Sequence, residues 1–302
     1  MKFRTEFEAL RSPMTLHPGE AVVLAGSCFS QNIAQKMNQS QWEAVTPLGT
    51  LYNPHSIFLA LDMMLDEKEG LQRFEKSLFS YQDIWHSSRF DSSFSSRHRD
   101  DCLQEFQNRK NLFINTLSRG KTLILTFGTS IVYHYKSDRC PAANCHKLPQ
   151  DLFYTQRMTP SEILSFASVV IEQLQERFPG IRVIFTVSPV RHLKNGFSGN
   201  ARSKAVLLLG VEDIIQYNEG TYYFPAYEIM NDDLRDYRFY AQDLTHPSQE
   251  AIDYIWEKFT ETYLDEEGIQ LLREGEKTYR RLHHRPLTGA LGKPLESTQG
   301  DI

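Results

Sequence analysis

Short apolar runs that end in glycine or a small polar turn, with longer amphipathic stretches between them, constrain this chain more than any other feature. Residues 21–26, Ala-Val-Val-Leu-Ala-Gly, lead directly into Ser27 and Cys28. Residues 122–128, Thr-Leu-Ile-Leu-Thr-Phe-Gly, lead into Thr129 and Ser130. Residues 181–187, Ile-Arg-Val-Ile-Phe-Thr-Val, lead into Ser188-Pro-Val-Arg191-His192. Runs of this length bounded by turn residues read as buried strands. Between them, apolar residues recur at helical spacing after Ser30, over residues 55–65, 100–117, 161–178 and 201–217. Ser30 is the expected cap of the first helix. Strands alternating with helices predict an α/β chain whose parallel sheet is covered on both faces.

The remaining segments fill in the same plan. Residues 42–47 read as a second short strand and 131–135 as a hairpin arm, with a loop over 137–153. Residues 79–99, rich in serine and aromatics, show no clear period and read as a loop-rich insertion. Residues 222–229 look strand-like, but Pro225 argues for an edge or a strand end. Helices are expected over 248–263 and about 265–284. One domain over residues 1–285, with an irregular lead-in to residue 20, is the economical division, and residues 286–302 read as a disordered tail.

Composition narrows the function classes. With 302 residues and 40% hydrophobic content, the chain can bury a sizeable core. A net charge of −5 gives no footprint for nucleic acid or an anionic membrane surface, so neither is expected as a partner. Residues 1–8 carry charges where a signal peptide needs an apolar core, and no apolar run approaches the ~20 residues that span a bilayer. Four cysteines are too few for a disulfide framework, so reduced thiols and a cytoplasmic setting are expected.

The polar residues that follow the strands converge on one edge. In an open parallel sheet, ligands bind at the carboxyl ends of the strands. Gly26-Ser27-Cys28 there brings two candidate nucleophiles to the start of a helix, where backbone N–H groups favour negative charge. A thiol near such a terminus and a histidine is expected to have a lowered pKa. The alternative is that Gly26 only lets the chain turn and Cys28 is a small buried filler. Asp243-x-x-His246 can supply a carboxylate that orients an imidazole base; alternatively Asp243 or Thr245 caps the helix that follows.

Taken together, the Gly-Ser-Cys-Phe turn at residues 26–29, Tyr52-Asn53-Pro54, Phe127-Gly128-Thr129, Asn144-Cys145-His146-Lys147, Ser188 to His192 and Asp243-x-x-His246-Pro247 resemble the GSCFA family. The similarity covers nearly all of residues 1–260, with Ser30 where the family name has alanine. That family is similar to SGNH/GDSL hydrolases, and the resemblance implies a three-layer α/β/α, flavodoxin-like sheet. In register with the Gly-Asp-Ser-Leu signature, Cys28 takes the nucleophile position, Ser27 being the second choice. Asp243 and His246 match the late orienter and base. Ser130 stands where the superfamily carries its oxyanion asparagine, so Gly128, Asn53 or Asn144 is left to complete that hole.

Weaker signals surround this set. Cys140, Cys145 and His146 lack the second ligand pair that a structural zinc site needs, so no metal and no cofactor are expected. Asn144 and His146 line the pocket or simply pack. Arg191 and His192 hold an anionic substrate group, or Arg191 pairs with a surface carboxylate. The reading is an acyl hydrolase of esterase or thioesterase type acting on a small-molecule acyl or carbohydrate ester. Its alternatives are an acyltransferase moving an acyl group from an acyl-CoA-type donor to a carbohydrate-like acceptor, and a non-catalytic binding protein on the same fold.

Overall fold

In the computed structural model, which describes residues 4–283, all six residues of β1 (Ala21–Gly26) are buried, as a strand at the centre of a covered sheet requires. Val22 and Leu24 point to one face of the sheet, and Val23 and Ala25 to the other. Helix α1 (Cys28–Gln39) and β2 (Glu43–Val45) follow, then α2 (Pro54–Leu65) and α3 (Gly70–Lys76). An antiparallel hairpin, β3 (Leu78–Tyr81) and β4 (Ile84–Ser87), precedes α4 (Arg99–Gly120) and β5 (Thr122–Phe127). A small antiparallel sheet, ordered β7-β6-β8, is made by β6 (Ile131–Tyr135), β7 (Pro141–Ala142) and β8 (Phe153–Arg157). Then come α5 (Pro160–Arg177), β9 (Arg182–Val187), α6 (Gly196–Tyr217) and β10 (Thr221–Phe224). A single turn, α7 (Ala226–Glu228), runs into a π-helical segment, Ile229–Leu234, before α8 (Gln249–Tyr263) and α9 (Glu266–His283).

The main sheet has five parallel strands in the order β10-β9-β5-β1-β2. In chain order of its members this is 2-1-3-4-5, the flavodoxin-like arrangement. One face packs β1, β5 and β9 against α2, α4, α5 and α6 through Phe58, Phe113, Ile171, Leu207 and their neighbours. The other face buries Ile33 and Met37 of α1 with Ile255, Trp256 and Phe259 of α8 and Leu272 of α9. The result is the expected three-layer α/β/α fold, and each large side chain fully buried in it contributes about 1.5–3 kcal/mol of transfer free energy. The direction of the chain reverses between β1 and β5, which makes the ends of these strands, at Gly26 and Phe127, the topological switch point where open α/β sheets generally bind ligands.

Local chemistry corrects several boundaries. The first helix is capped by Ser27, not Ser30: Ser27 Oγ accepts the Phe29 N–H, while the Ser30 hydroxyl turns back to donate to the Ser27 carbonyl at 2.7 Å. The strand expected over 222–229 stops at Phe224, because Pro225 offers no N–H to continue the ladder and the chain turns into α7. Within residues 79–99 lies the β3–β4 hairpin, whose turn residues Gln82 and Asp83 both have positive φ, of 52° and 59°. A turn with two left-handed residues is usually written with glycine or asparagine, so Gln82-Asp83 carries no hairpin signal. The tail assigned to residues 286–302 lies outside the described residues. Among those described, no helix is long and apolar enough to cross a membrane.

Candidate active site

The carboxyl edge of the sheet is built around two glycines. Gly26 closes β1 with φ of +133°, and a Cβ there would lie 2.1 Å from the Thr126 carbonyl oxygen. The Ser27 N–H donates to that same carbonyl at 3.1 Å. Gly128, just after β5, is pressed between loops: a Cβ would meet His192 Nε2 at 2.9 Å, the Tyr52 carbonyl oxygen at 3.1 Å and Ser27 Cβ at 3.4 Å. Three separate turns therefore touch at Gly128.

The two nucleophile candidates differ sharply in access. Ser27 is 0% exposed and caps its helix, whereas the adjacent Cys28, the first helical residue, is half-buried. Burial pushes the Cys28 thiol above its ordinary value and the Asp243 charge adds to this; the Cys28 and Phe29 N–H groups and the Lys204 charge oppose it. The expectation of a lowered Cys28 pKa is thus corrected, because desolvation outweighs the helix terminus.

Asp243 and His246 are bonded to each other, as their spacing suggested. His246 Nδ1 donates to Asp243 Oδ2 at 2.5 Å, and Asp243 Oδ1 accepts the N–H groups of His246 and Thr245, each at 2.9 Å. These two amides, then the imidazole, hold the Asp243 carboxyl well below the usual carboxylate range. With Nδ1–H given to a carboxylate, the ring keeps its Nε2 lone pair free. Neither Asp243 nor Thr245 caps α8: Ser248 does, accepting the Ala251 N–H. Leu244, between the pair, sits at φ of +57°.

The oxyanion candidates fare differently. The Gly128 and Thr129 N–H groups both donate to the Tyr52 carbonyl, at 2.8 and 2.9 Å, so Gly128 offers no free amide. Ser130 is buried and bonded through its amide and hydroxyl to Ser203 Oγ. Asn53 caps α2, its Oδ1 accepting the Ser56 N–H at 2.8 Å. Asn144 engages the His146 N–H at 2.8 Å. His146 packs against His86 and donates from Nε2 to the Ser87 carbonyl, 2.7 Å away. Both belong to the packing of the β3–β4 hairpin rather than to the Cys28 crevice. Among the described residues, no three His, Cys, Asp or Glu side chains converge as metal ligands.

The two residues after β9 diverge. His192 packs edge-on against the Tyr52 ring at 5.5 Å, and burial with the charges of Lys204 and His246 lowers its pKa to about 4. Arg191 makes no ion pair among the described residues; its guanidinium lies 3.9 Å from the Tyr240 ring centre and 5.2 Å from that of Tyr237. Its N–H donates to the Thr245 carbonyl, next to His246. Arg191 and Tyr240 line a cavity of about 90 Å³ together with Arg235 and Asn231.

One residue of this edge was not read from the sequence. Lys204, 1% exposed, donates from Nζ to the Gly128 carbonyl at 2.7 Å and the Ser188 carbonyl at 2.6 Å. Its signal was present: it falls in register with Leu207, Val211 and Ile214 on the buried stripe of α6. A lysine on an apolar stripe must find polar partners in the interior.

Comparison with known proteins gives a family match and a weak similarity to a solved structure. Residues 21–259 match the family model described as "GSCFA family". No curated protein sequence matches the chain. Among solved structures, the chain is similar to a carbohydrate esterase family 3 protein from Talaromyces cellulolyticus, with 8% identity and a TM-score of 0.34 over 84% of this chain and 98% of that one.

Proposed function

We propose that this chain, which belongs to the GSCFA family, is an acyl hydrolase of esterase or thioesterase type in which Cys28 is the nucleophile, His246 the base and Asp243 its orienter. The observation that carries the reading is the Asp243–His246 pair, with Nδ1 bound to the carboxylate and Nε2 free, on the same sheet edge as an accessible thiol at a helix start. Burial of Ser27 as a helix cap favours Cys28 over it.

In this mechanism His246 Nε2 takes the thiol proton as Sγ bonds to the ester carbonyl carbon, and the carbonyl electron pair moves to oxygen. The Cys28 N–H and Asn53 Nδ2 are the donors proposed for that oxyanion. Collapse breaks the carbon–oxygen bond to the alcohol, which takes the proton from His246 and leaves a thioester on Cys28. Water then attacks, giving its proton to His246, and the carboxylic acid departs as the thiol reforms. Arg191, without a carboxylate partner among the described residues, suits substrates that carry an anionic group.

Release of p-nitrophenol from short-chain esters tests the proposal in wild type, Cys28→Ala and Ser27→Ala proteins. Turnover that disappears in Cys28→Ala and survives in Ser27→Ala supports it. Full turnover in Cys28→Ala sinks it. An acyltransferase shares the first half-reaction and is recognised by turnover that requires a carbohydrate acceptor and an acyl-CoA donor. A binding protein cleaves nothing in either assay.

A further inference from the structure

Arg191 and Arg235 line one cavity of about 90 Å³, and neither guanidinium has an ion-pair partner among the described residues. The Tyr240 ring covers the face of the Arg191 guanidinium at 3.9 Å, which leaves its N–H edge for an acceptor in the same plane. Arg235 closes the π-helical segment Ile229–Leu234 with φ of +42°. A left-handed arginine is strained, and both such strain and π-helical turns concentrate at functional sites. Asp236, the one carboxylate lining the cavity, accepts the Arg238 N–H at 2.9 Å and faces the Arg238 guanidinium at 4.0 Å. The cavity is tied to the turn that carries His246. The Arg191 N–H donates to the Thr245 carbonyl at 3.1 Å, the Ala241 N–H donates to the His246 carbonyl at 2.7 Å, and Tyr240 pairs with Pro247 in an antiparallel bridge.

We propose that this cavity is a subsite for a phosphoryl group carried by the substrate, held between the guanidiniums of Arg191 and Arg235. The inference rests on the hydrolase reading for its substrate class, a phosphoryl-bearing ester or thioester, while the site itself stands on the two arginines. Its volume equals that of about three waters at about 30 Å³ each, enough for one small oxyanion and too little for a sugar ring or an acyl chain. Two guanidiniums match a phosphoryl group, which carries about −1.5 to −2 charges at pH 7. A carboxylate, with a single charge, would leave one of them unmatched. The hydrogen bonds from Arg191 and Ala241 to the Thr245 and His246 carbonyls place such an anchor against the turn that carries the proposed base.

The test is a ³¹P NMR titration of the full chain with inorganic phosphate at constant ionic strength, in wild type, Arg191→Met, Arg235→Asn and Arg238→Gln. Asparagine tolerates the left-handed conformation, so Arg235→Asn removes the charge without adding backbone strain, and it decides alone if Arg191→Met does not fold. The expected result is saturable binding in wild type and Arg238→Gln, weakened about tenfold or more in Arg191→Met and Arg235→Asn. No saturation in wild type, or an affinity unchanged in Arg235→Asn, overturns the proposal. Displacement of phosphate by an equal concentration of acetate overturns the choice of a phosphoryl group. A p-nitrophenyl ester bearing a phosphoryl group on its acyl chain should show a KM about tenfold or more below that of its uncharged counterpart; equal KM values make the cavity a site for free phosphate and overturn the substrate assignment. The hydrolase reading fails separately, through ester turnover that persists in Cys28→Ala, a variant whose phosphate titration should match wild type.

Discussion

Asp243 holds His246 at two points, its Oδ2 on the ring Nδ1 at 2.5 Å and its Oδ1 on the backbone N–H at 2.9 Å. The side chain that orients the imidazole therefore also shapes the turn that carries it. Asp243→Asn keeps the size but loses the acceptor that selects the Nδ1–H tautomer. The expected outcome is a fall in kcat of roughly 10³–10⁴-fold with KM little changed, as for amidation of an orienting carboxylate in other triads. Steady-state kinetics on a p-nitrophenyl ester checks it, and an unchanged kcat removes Asp243 from the site.

The two glycines of the sheet edge predict different failures. Gly26→Ala places a Cβ 2.1 Å from the Thr126 carbonyl at a φ of +133° and should unfold the protein or leave it insoluble. At Gly128 the contacts begin at 2.9 Å, with the end of the His192 ring, so Gly128→Ala should fold with a loss of about 1–3 kcal/mol, read from urea midpoints. The same variant should lose esterase turnover, because the displaced His192 and Tyr52 border the crevice.

Two buried histidines set an acid limb of stability. Burial lowers the pKa of both His55 and His192 to about 4 against an ordinary value near 6.5. In that window the unfolded chain binds protons that the folded chain refuses, so stability is complete above about pH 6.5 and falls as pH drops toward 4. Each group contributes a slope of up to about 1.4 kcal/mol per pH unit. Thermal unfolding from pH 7 to 4.5 should show this decline, and His192→Gln should flatten it; a slope unaltered by that substitution contradicts the assignment.

Phe74, Phe90, Phe94 and Phe106 anchor the β3–β4 hairpin region to α3 and α4, with Phe74 and Phe106 stacked at 4.4 Å. Phe106 is fully buried, and Phe106→Ala should cost about 3–5 kcal/mol of stability by leaving a cavity. Chemical denaturation measures this. A change below about 1 kcal/mol would show that the cluster collapses around the gap.

Arg191 offers a test of substrate charge. If its guanidinium receives an anionic group, Arg191→Met should raise KM for a carboxylate-bearing ester about tenfold or more and leave a neutral ester of equal length nearly unaffected. Equal effects on both esters would assign Arg191 to bracing the His246 turn through Thr245 instead.

The sequence alone determined the layered α/β architecture, because apolar runs of strand length cannot be satisfied except inside a sheet covered on both faces. It also marked Cys28, Asp243 and His246 as candidates, since turn chemistry at strand ends and an Asp-x-x-His spacing act over a few residues. Whether Ser27 or Cys28 was accessible depended on which residue capped α1, and that was decided by the fit of Gly26 against Thr126 from a strand nearly a hundred residues away. The amides of Gly128 and Thr129 were claimed by Tyr52, the hydroxyl of Ser130 by Ser203, and two carbonyls by Lys204. These bonds join loops that no local pattern connects. Even the thiol's pKa followed this division, raised by burial that only the packed structure imposes on a helix start that sequence could already see.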